Sequence, residues 1–202
     1  MPEQPLRADA RRNFDKIIKA ACAVVAERGI GAPMELIARR AGVGVGTLYR
    51  RFPDRGALIT AIGDHYIHEL VDAARRAAET GPDAWTALRS LVIWCADPGR
   101  GALATALADL DTETFLSTPE FARSREEWIE LLDGLVRDAQ AAGAMRTDAG
   151  TSDIVMLLNV FTCHPAELPA HVGAQPARFL HLMLDGLRAG GTTELPGEPA
   201  PL

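Results

Sequence analysis

Aromatic residues make up only 5% of the 202-residue chain, and cysteine occurs three times, at Cys22, Cys95 and Cys163. So few aromatics, set beside plentiful Ala and Leu, favour helix over the β-branched and aromatic composition of sheets. The three cysteines are far apart, show no CxxC spacing and, being odd in number, cannot all pair within one chain. A disulfide scaffold is thereby disfavoured, and buried reduced thiols are expected. No apolar run approaches the roughly 18–20 residues of a membrane span. The opening MPEQPLRADARRNFDK lacks the apolar core of a signal peptide, so the cytoplasm is the expected compartment and no membrane partner is expected. Sustained period-two alternation, a fixed repeat and a long low-complexity tract are all missing.

Catalytic signatures are missing too. There is no Gly-rich phosphate loop, GxSxG elbow or Cys/His dyad spacing. His65 and His68 stand three apart on a helical stretch followed by Glu69, but the HExxH order is absent and no third ligand is evident. Asp109, Asp111 and Glu113 alternate along one helix and cannot share a face. The expectation is a protein that is not an enzyme and needs no metal or cofactor.

What the chain does have is a charge asymmetry. Its net charge of −6 argues against a nucleic-acid partner, but residues 1–56 hold eleven Lys/Arg against six Asp/Glu, and residues 57–202 hold ten against twenty-one. A short basic head on an acidic body fits a head that meets DNA phosphates.

Helical signals run almost throughout. Phe14, Ile17, Ile18, Ala21 and Val25 recur at helical spacing up to Gly29. Pro33 opens a short helix through Met34, Ile37 and Ala38. Gly42 breaks it, and Val45–Phe52 forms a third, closed by Pro53. Asp54 suits the N-cap of a long fourth helix running to about Glu79. Further helices are expected at about Asp83–Cys95, Ala102–Thr114, Pro119–Ala142, Ser152–Cys163 and Pro176–Ala189. A break is expected at Asp97-Pro98-Gly99, and a proline-rich loop at His164–Gln175. The prediction is an all-α fold of about nine helices: a three-helix head at 1–56, a helical bundle at 57–190 and a mobile tail at 191–202.

Residues 33–52, PMELIARRAGVGVGTLYRRF, carry the chemistry. Two short helices about a glycine-containing turn are the sequence shape of a helix-turn-helix, whose second helix enters a major groove. On a wheel of 100° per residue, Leu48 and Phe52 lie on one side with Val45 near them. Gly46 and Arg50 form the opposite pole, flanked by Tyr49 and Thr47. Gly46 lets backbone approach DNA, Arg50 suits a bidentate contact to guanine, and Thr47 suits a thymine methyl or a hydrogen bond. Tyr49, Arg51 and Arg55 suit phosphates. A surface helix whose arginines merely solvate it is the competing reading, and a helical protein-binding scaffold the competing class. Neither gains from Gly and Val at the start of a short helix.

The run IARRAGVGVGTLYRRFPDRGALI resembles the signature of TetR-like bacterial regulators, with the likeness extending from Ile17 to Ile62. The closing RFLHLMLDGLRAG is similar to the final helix of these proteins. The resemblance implies a homodimer on a two-fold symmetric DNA site, usually repressing, and a body that binds a small molecule. It places the matches of Val45, Gly46, Thr47 and Arg50 in the groove, and those of Tyr49 and Arg55 on the DNA backbone. With Gly44 and Arg51, these make the expected DNA-binding set. Ala32-Pro33, Gly44 and Gly56-Ala57 depart from the pattern. The first two withhold capping hydroxyls, leaving Arg39, Arg40, Arg7, Arg11 or Arg12 to compensate.

In the body, Trp85, Leu88, Leu91, Val92, Trp94 and Cys95 crowd one helix, with Leu103, Leu107, Leu110, Phe115, Trp128 and Leu132 as facing walls. Asn159 shares a helix face with Met156 and Cys163 and is placed to turn a polar group inward. Trp85, Leu88, Val92, Cys95, Leu107, Trp128, Leu132 and Asn159 are thus the candidate effector contacts, with plain core packing as the alternative for each. Apolar residues on more than one face of the last two helices, among them Leu157, Val160, Phe161, Phe179, Leu182 and Leu187, suit a dimer contact.

Overall fold

The computed structural model describes residues 3–108, 118–162, 176–191 and 193–200, with side chains described outside 3–10, 108, 161, 162, 176 and 177. Leu110, Phe115, Cys163, the side chains of Arg7 and Phe161, and the loop expected at His164–Gln175 lie outside what is described. Nine helices occur among the described residues: Glu3–Arg28 (α1), Met34–Ala41 (α2), Val45–Arg51 (α3), Arg55–Thr80 (α4), Ala84–Cys95 (α5), Pro98–Ala108 (α6), Pro119–Ala141 (α7), Thr151–Thr162 (α8) and Pro176–Leu187 (α9). Among these residues no helix is long and apolar enough to cross a membrane.

Short polar side chains set the helix starts. Asp54 accepts from Ala57 N at 2.8 Å, Asp83 from Thr86 N at 2.8 Å and Thr118 from Phe121 N at 3.3 Å. Each satisfies a first-turn donor that the helix cannot, an effect of about 0.5–2 kcal/mol. The break expected at Asp97-Pro98-Gly99 is such a start. Asp97 accepts from Gly99 N at 3.1 Å and Arg100 N at 3.2 Å, and Pro98 takes the first helical position, where a missing N–H costs nothing. α6 therefore begins about a turn earlier than its periodicity suggests.

Two apolar cores result. The head core joins Ile17, Ile18, Val24 and Val25 of α1 to Ile37 and Ala38 of α2 and to Leu48 and Phe52. It does not stop at residue 56: Leu58, Ile59 and Ile62 of α4, and Leu103 and Ala106 of α6, belong to it. The body core packs Ala73, Ala74 and Ala77 of α4 against Leu88, Leu91 and Val92 of α5 and Leu132, Leu135, Val136 and Ala139 of α7. Ile154 of α8 and Leu180, Met183 and Leu184 of α9 complete it. Small residues at 73, 74 and 77 let neighbouring helix axes approach α4 closely.

Side chains lock the bundle's far end. Gln140 donates to the carbonyls of Arg146 at 3.0 Å and Ala149 at 2.8 Å, and Arg146 N donates to Leu187 O at 3.0 Å. In the tail, whose prolines and glycines predict mobility, Thr193 and Leu195 are bonded to the bundle's far end. Arg146 pairs with Asp148 at 2.6 and 2.7 Å and donates to Thr193 O at 2.6 Å, while Asp148 accepts from Leu195 N at 3.1 Å. These backbone attachments use groups that composition does not reveal.

Between α2 and α3, Gly42 adopts φ 68°, ψ 31°, and Val43 N closes back on Ala38 O at 3.0 Å. A Cβ on Gly42 would meet nothing within 4 Å. Gly42→Ala is therefore expected to lower stability by the left-handed backbone penalty alone, about 1–2 kcal/mol, read from the urea midpoint of the full chain.

Candidate nucleic-acid interface and effector cavity

α3 is held by two buried anchors and offers the rest of its surface. Leu48 and Phe52 are buried, whereas Gly44, Val45, Gly46, Tyr49, Arg50 and Arg51 are exposed and Thr47 is half-buried. Val45, near the buried pole on the wheel, turns outward at 37% exposure. A Cβ on Gly46 would meet no other group within 4 Å, so the face is open where backbone would approach a groove. Arg50 lies back along its own helix, with Nε donating to Gly46 O at 3.3 Å and Nη2 to Thr47 Oγ1 at 3.1 Å. Both bonds are exposed, local and long, so base edges compete with them readily.

The other cations divide. Arg51 is seated 4.8 Å over the Phe14 ring, and Phe14 lies 5.8 Å from the Phe52 ring. That contact secures the end of α3 to α1 while leaving Arg51 at the surface. Arg40 forks onto Glu27 at 2.5 and 2.6 Å, which ties α2 to α1 and holds the Glu27 carboxyl below its ordinary range. Arg39 and Arg11 are exposed. Arg55 is half-buried, and its Nη1 donates to the carbonyls of Ile30, at 2.9 Å, and Ala32. The side chain expected on phosphate therefore braces the α1–α2 turn against the start of α4, satisfying carbonyls a turn leaves unpaired. Only the turn's placement reveals this. No side-chain hydrogen bond caps α2 or α3, because Pro33 and Gly44 stand at their N-caps.

In the body, the structure brings Cys95, Trp128 and Asn159 together around a cavity of about 60 Å³, with Tyr66, Leu70, Ala104, Val155 and Leu158 as its other walls. Residues of α4, α5, α6, α7 and α8 all contribute. Trp85, Leu88, Val92 and Leu132 are not brought to it; they are buried in the body core, and Leu107 packs on the head core. On α5, positions 85, 88, 92 and 95 form one stripe. Most of it is consumed by packing on α4 and α7, and its last residue reaches the cavity. Asn159, expected to turn a polar group inward, is itself exposed at the rim of this space, and Met156 on the same side of α8 is 62% exposed. Tyr66 and Leu70, four apart on α4, were not expected at this site from the sequence. A depression of about 550 Å³ over Arg146 and Asp148 is larger, but it is open to solvent and those two charges already pair with each other.

Burial pushes the Cys95 thiol up to about 12 against a small opposing effect from Arg100. Burial likewise raises Cys22 to about 12, with Glu69 adding to it. Both stay protonated at neutral pH and make poor nucleophiles or metal ligands. His65 lies 3.6 Å from Glu69, and His68 Nδ1 is 2.5 Å from Asp64 O. No group of three metal-ligating side chains forms among the described residues.

A helix-turn-helix that turns a Gly-Thr-Arg face outward, mounted on an all-α body with a small pocket between its helices, is the architecture of a helix-turn-helix transcriptional regulator. Comparison with known proteins gives the family. Residues 17–62 match the bacterial regulatory proteins of the tetR family, and residues 82–189 match the SbtR-like transcriptional regulator C-terminal domain. The chain belongs to the TetR family; it is a DNA-binding transcriptional regulator and not an enzyme. It is 35% identical to the TetR transcriptional regulator SCO0520 of Streptomyces coelicolor, over 87% of this chain and 98% of that one, with a TM-score of 0.66. A TetR regulatory protein of Mycobacterium vanbaalenii is 31% identical over 92% of this chain and 100% of its own, with a TM-score of 0.67. The uncharacterised HTH-type transcriptional regulator YvdT of Bacillus subtilis is 32% identical over 80 residues, which span 39% of this chain and 41% of that relative. FadR of Bacillus subtilis, solved in complex with stearoyl-CoA, is 16% identical over 86% of this chain and 99% of its own, with a TM-score of 0.61, and shares the fold alone.

Arg55→Ala is expected to cost about 1–2 kcal/mol of stability, because it strips charge-assisted bonds from two carbonyls. Arg51→Ala removes an exposed ring contact and costs at most about 0.5–1 kcal/mol. Urea denaturation of the two variants measures the difference.

Proposed function

We propose that the protein is a ligand-responsive repressor, acting in the cytoplasm as a homodimer that sets one α3 into each of two successive major grooves of a two-fold symmetric operator. The observation that carries this reading is the outward face of α3, where Gly46, Thr47 and Arg50 leave backbone approach and a five-donor guanidinium to the groove. Tyr49 and Arg51 flank that face as phosphate contacts, and Arg39 serves in place of Arg40, which is exposed but paired with Glu27. Gly44 and Val45 lie at the entry of the reading helix, close to the bases.

A homodimer is supported by Met156 and Val160 of α8 and Leu182 of α9, which are 62%, 59% and 59% exposed on helices whose other faces fill the body core. Two such helices from each protomer meeting about a two-fold axis bury this apolar material in an isologous contact. The distance between the two reading helices then follows from that contact, at one helical turn of DNA or somewhat more.

Ligand response is supported by where the cavity sits. Its walls include Tyr66 and Leu70 of α4 and Ala104 of α6, and these same helices send Leu58, Ile59, Ile62, Leu103 and Ala106 into the head core. A solved protein of this fold holds an acyl-CoA, so the fold admits small-molecule effectors. A ligand that parts these walls shifts the head relative to its partner's. It represses or releases in proportion to its preference for one pose, with useful coupling at roughly 1–3 kcal/mol.

Selection of bound DNA from a random pool, at stated salt, tests the reading; a palindromic consensus is expected and a non-symmetric or absent one refutes it. On that consensus Arg50→Ala is expected to lose about 1–3 kcal/mol and to relax base preference at one position per half-site. An equal loss on random DNA would make Arg50 a phosphate contact instead. Leu182→Glu is expected to sediment as a monomer and to lose operator affinity roughly 10²-fold, as loss of two-site avidity requires.

A further inference from the structure

Arg50 is exposed, yet one edge of its guanidinium is already occupied. Nε donates to Gly46 O at 3.3 Å and Nη2 to Thr47 Oγ1 at 3.1 Å. A long side chain on a helix leans back over the residues three and four positions before it, where these two acceptors stand. A guanidinium is planar and carries its five donors in a fixed fork. Nε and the near hydrogen of Nη2 form one edge, and Nη1 and the far hydrogen of Nη2 form the other. The first edge is spent on the helix, while Nη1 makes no hydrogen bond among the described residues.

That division bears on how a base is read. The outer edge, Nη1 with Nη2, matches the O6 and N7 acceptors that guanine presents in a major groove. A base that takes the outer edge displaces neither local bond, whereas one that takes the inner edge displaces both. Because the plane is rigid, holding the inner edge also fixes the direction of the outer one. A fork held on one side loses less freedom on docking than an arginine swinging about all its side-chain bonds. Thr47 is half-buried, and its hydroxyl oxygen is the side-chain half of that hold. The other half is a backbone carbonyl, so the residue at position 47 decides whether the hold is complete.

We propose that Thr47 is a positioning residue that acts through Arg50: its hydroxyl, with the Gly46 carbonyl, holds the inner edge so that the outer edge meets O6 and N7 of one guanine in each half-site. The inference rests on the reading of α3 as the helix that enters the groove. By position alone Thr47 suits a thymine methyl or a hydrogen bond of its own to a base. With its hydroxyl engaged by Arg50, the two side chains specify one base pair between them and not two.

The test uses the full chain, the duplex selected from the random pool, and the variants Thr47→Val and Thr47→Ser. Valine keeps the shape and the methyl and loses the acceptor; serine keeps the acceptor and loses the methyl. Affinity is read by fluorescence anisotropy on duplexes carrying guanine, or 7-deazaguanine, which lacks the N7 acceptor, at the position where Arg50→Ala relaxes preference. Thr47→Val should bind the guanine duplex about fivefold more weakly per half-site, the factor a single net hydrogen bond supplies. On the 7-deazaguanine duplex it should differ little from the unaltered protein, and Thr47→Ser should match the unaltered protein on both. In an Arg50→Ala background Thr47→Val should cost nothing further, because the two residues act as one unit. A merely structural role would weaken both duplexes equally and persist in that background, which would overturn the proposal. A loss with Thr47→Ser, or a change of preference at a second base pair, would make Thr47 a base reader in its own right and overturn it too. So would a Thr47→Val protein that binds as the unaltered one does. If Arg50→Ala loses equally on selected and random DNA, the reading of Arg50 as a base contact fails first, and the role of Thr47 fails with it.

Discussion

Two separate apolar cores have to be held in register, and α4 is the element that does so. Over 26 residues it places Leu58, Ile59 and Ile62 in the head core and Ala73, Ala74 and Ala77 in the body core. A helix of that length spans roughly 39 Å, and its intact ladder of hydrogen bonds makes it a stiff rod. Its first turn is fixed by the Asp54 cap and by Arg55 on the carbonyls of Ile30 and Ala32, so it cannot pivot freely from the head. Its second half is wedged between α5 and α7, and Arg75 pairs with Glu127 across to α7. The orientation of α3 is therefore set partly by how the body packs, through α1 and α4 rather than through contacts of its own.

α6 provides a second route between the same two regions. Leu103 and Ala106 enter the head core, and the intervening Ala104 faces the cavity. Its start is pinned to the end of α5, where Arg100 lies 3.9 Å over the Trp94 ring and donates to Trp94 O at 2.7 Å. Small residues along α6 allow close packing on α1 and leave the helix sensitive to what occupies the space behind Ala104. The head core is built from both α4 and α6, so a displacement of these helices in the body carries to the head.

The reading surface shows a matching economy of anchors. Leu48 and Phe52 alone bury α3, and the Phe14–Phe52–Arg51 stack fixes its end. Arg40 is taken up by Glu27, so the positive charge offered to DNA is smaller than a count of arginines in the head suggests. The outward face of α3 is then Gly46, where backbone can be approached, beside Thr47 and the guanidinium of Arg50.

Local chemistry made much of this legible in the sequence. The turn at Gly42, the cap at Asp54, the poles of the α3 wheel and the excess apolar surface of the last two helices depend on residues within a few positions of one another, and these are legible in the sequence. Contacts between residues distant in the chain are not. Nothing near Arg55 tells that its partners lie 25 and 23 residues earlier, and nothing near Leu103 tells that it packs on α1. The cavity shows the same limit. Periodicity marks the α5 stripe as apolar, but only the packing of five helices decides that Cys95 borders a void while Trp85, Leu88 and Val92 are consumed by the core. Period and capping are properties of a segment, so the sequence by itself determined the elements, their order and the family. Burial and the pairing of polar groups are properties of neighbours in space, so only the tertiary structure decided which cations of the head are engaged and which stay exposed.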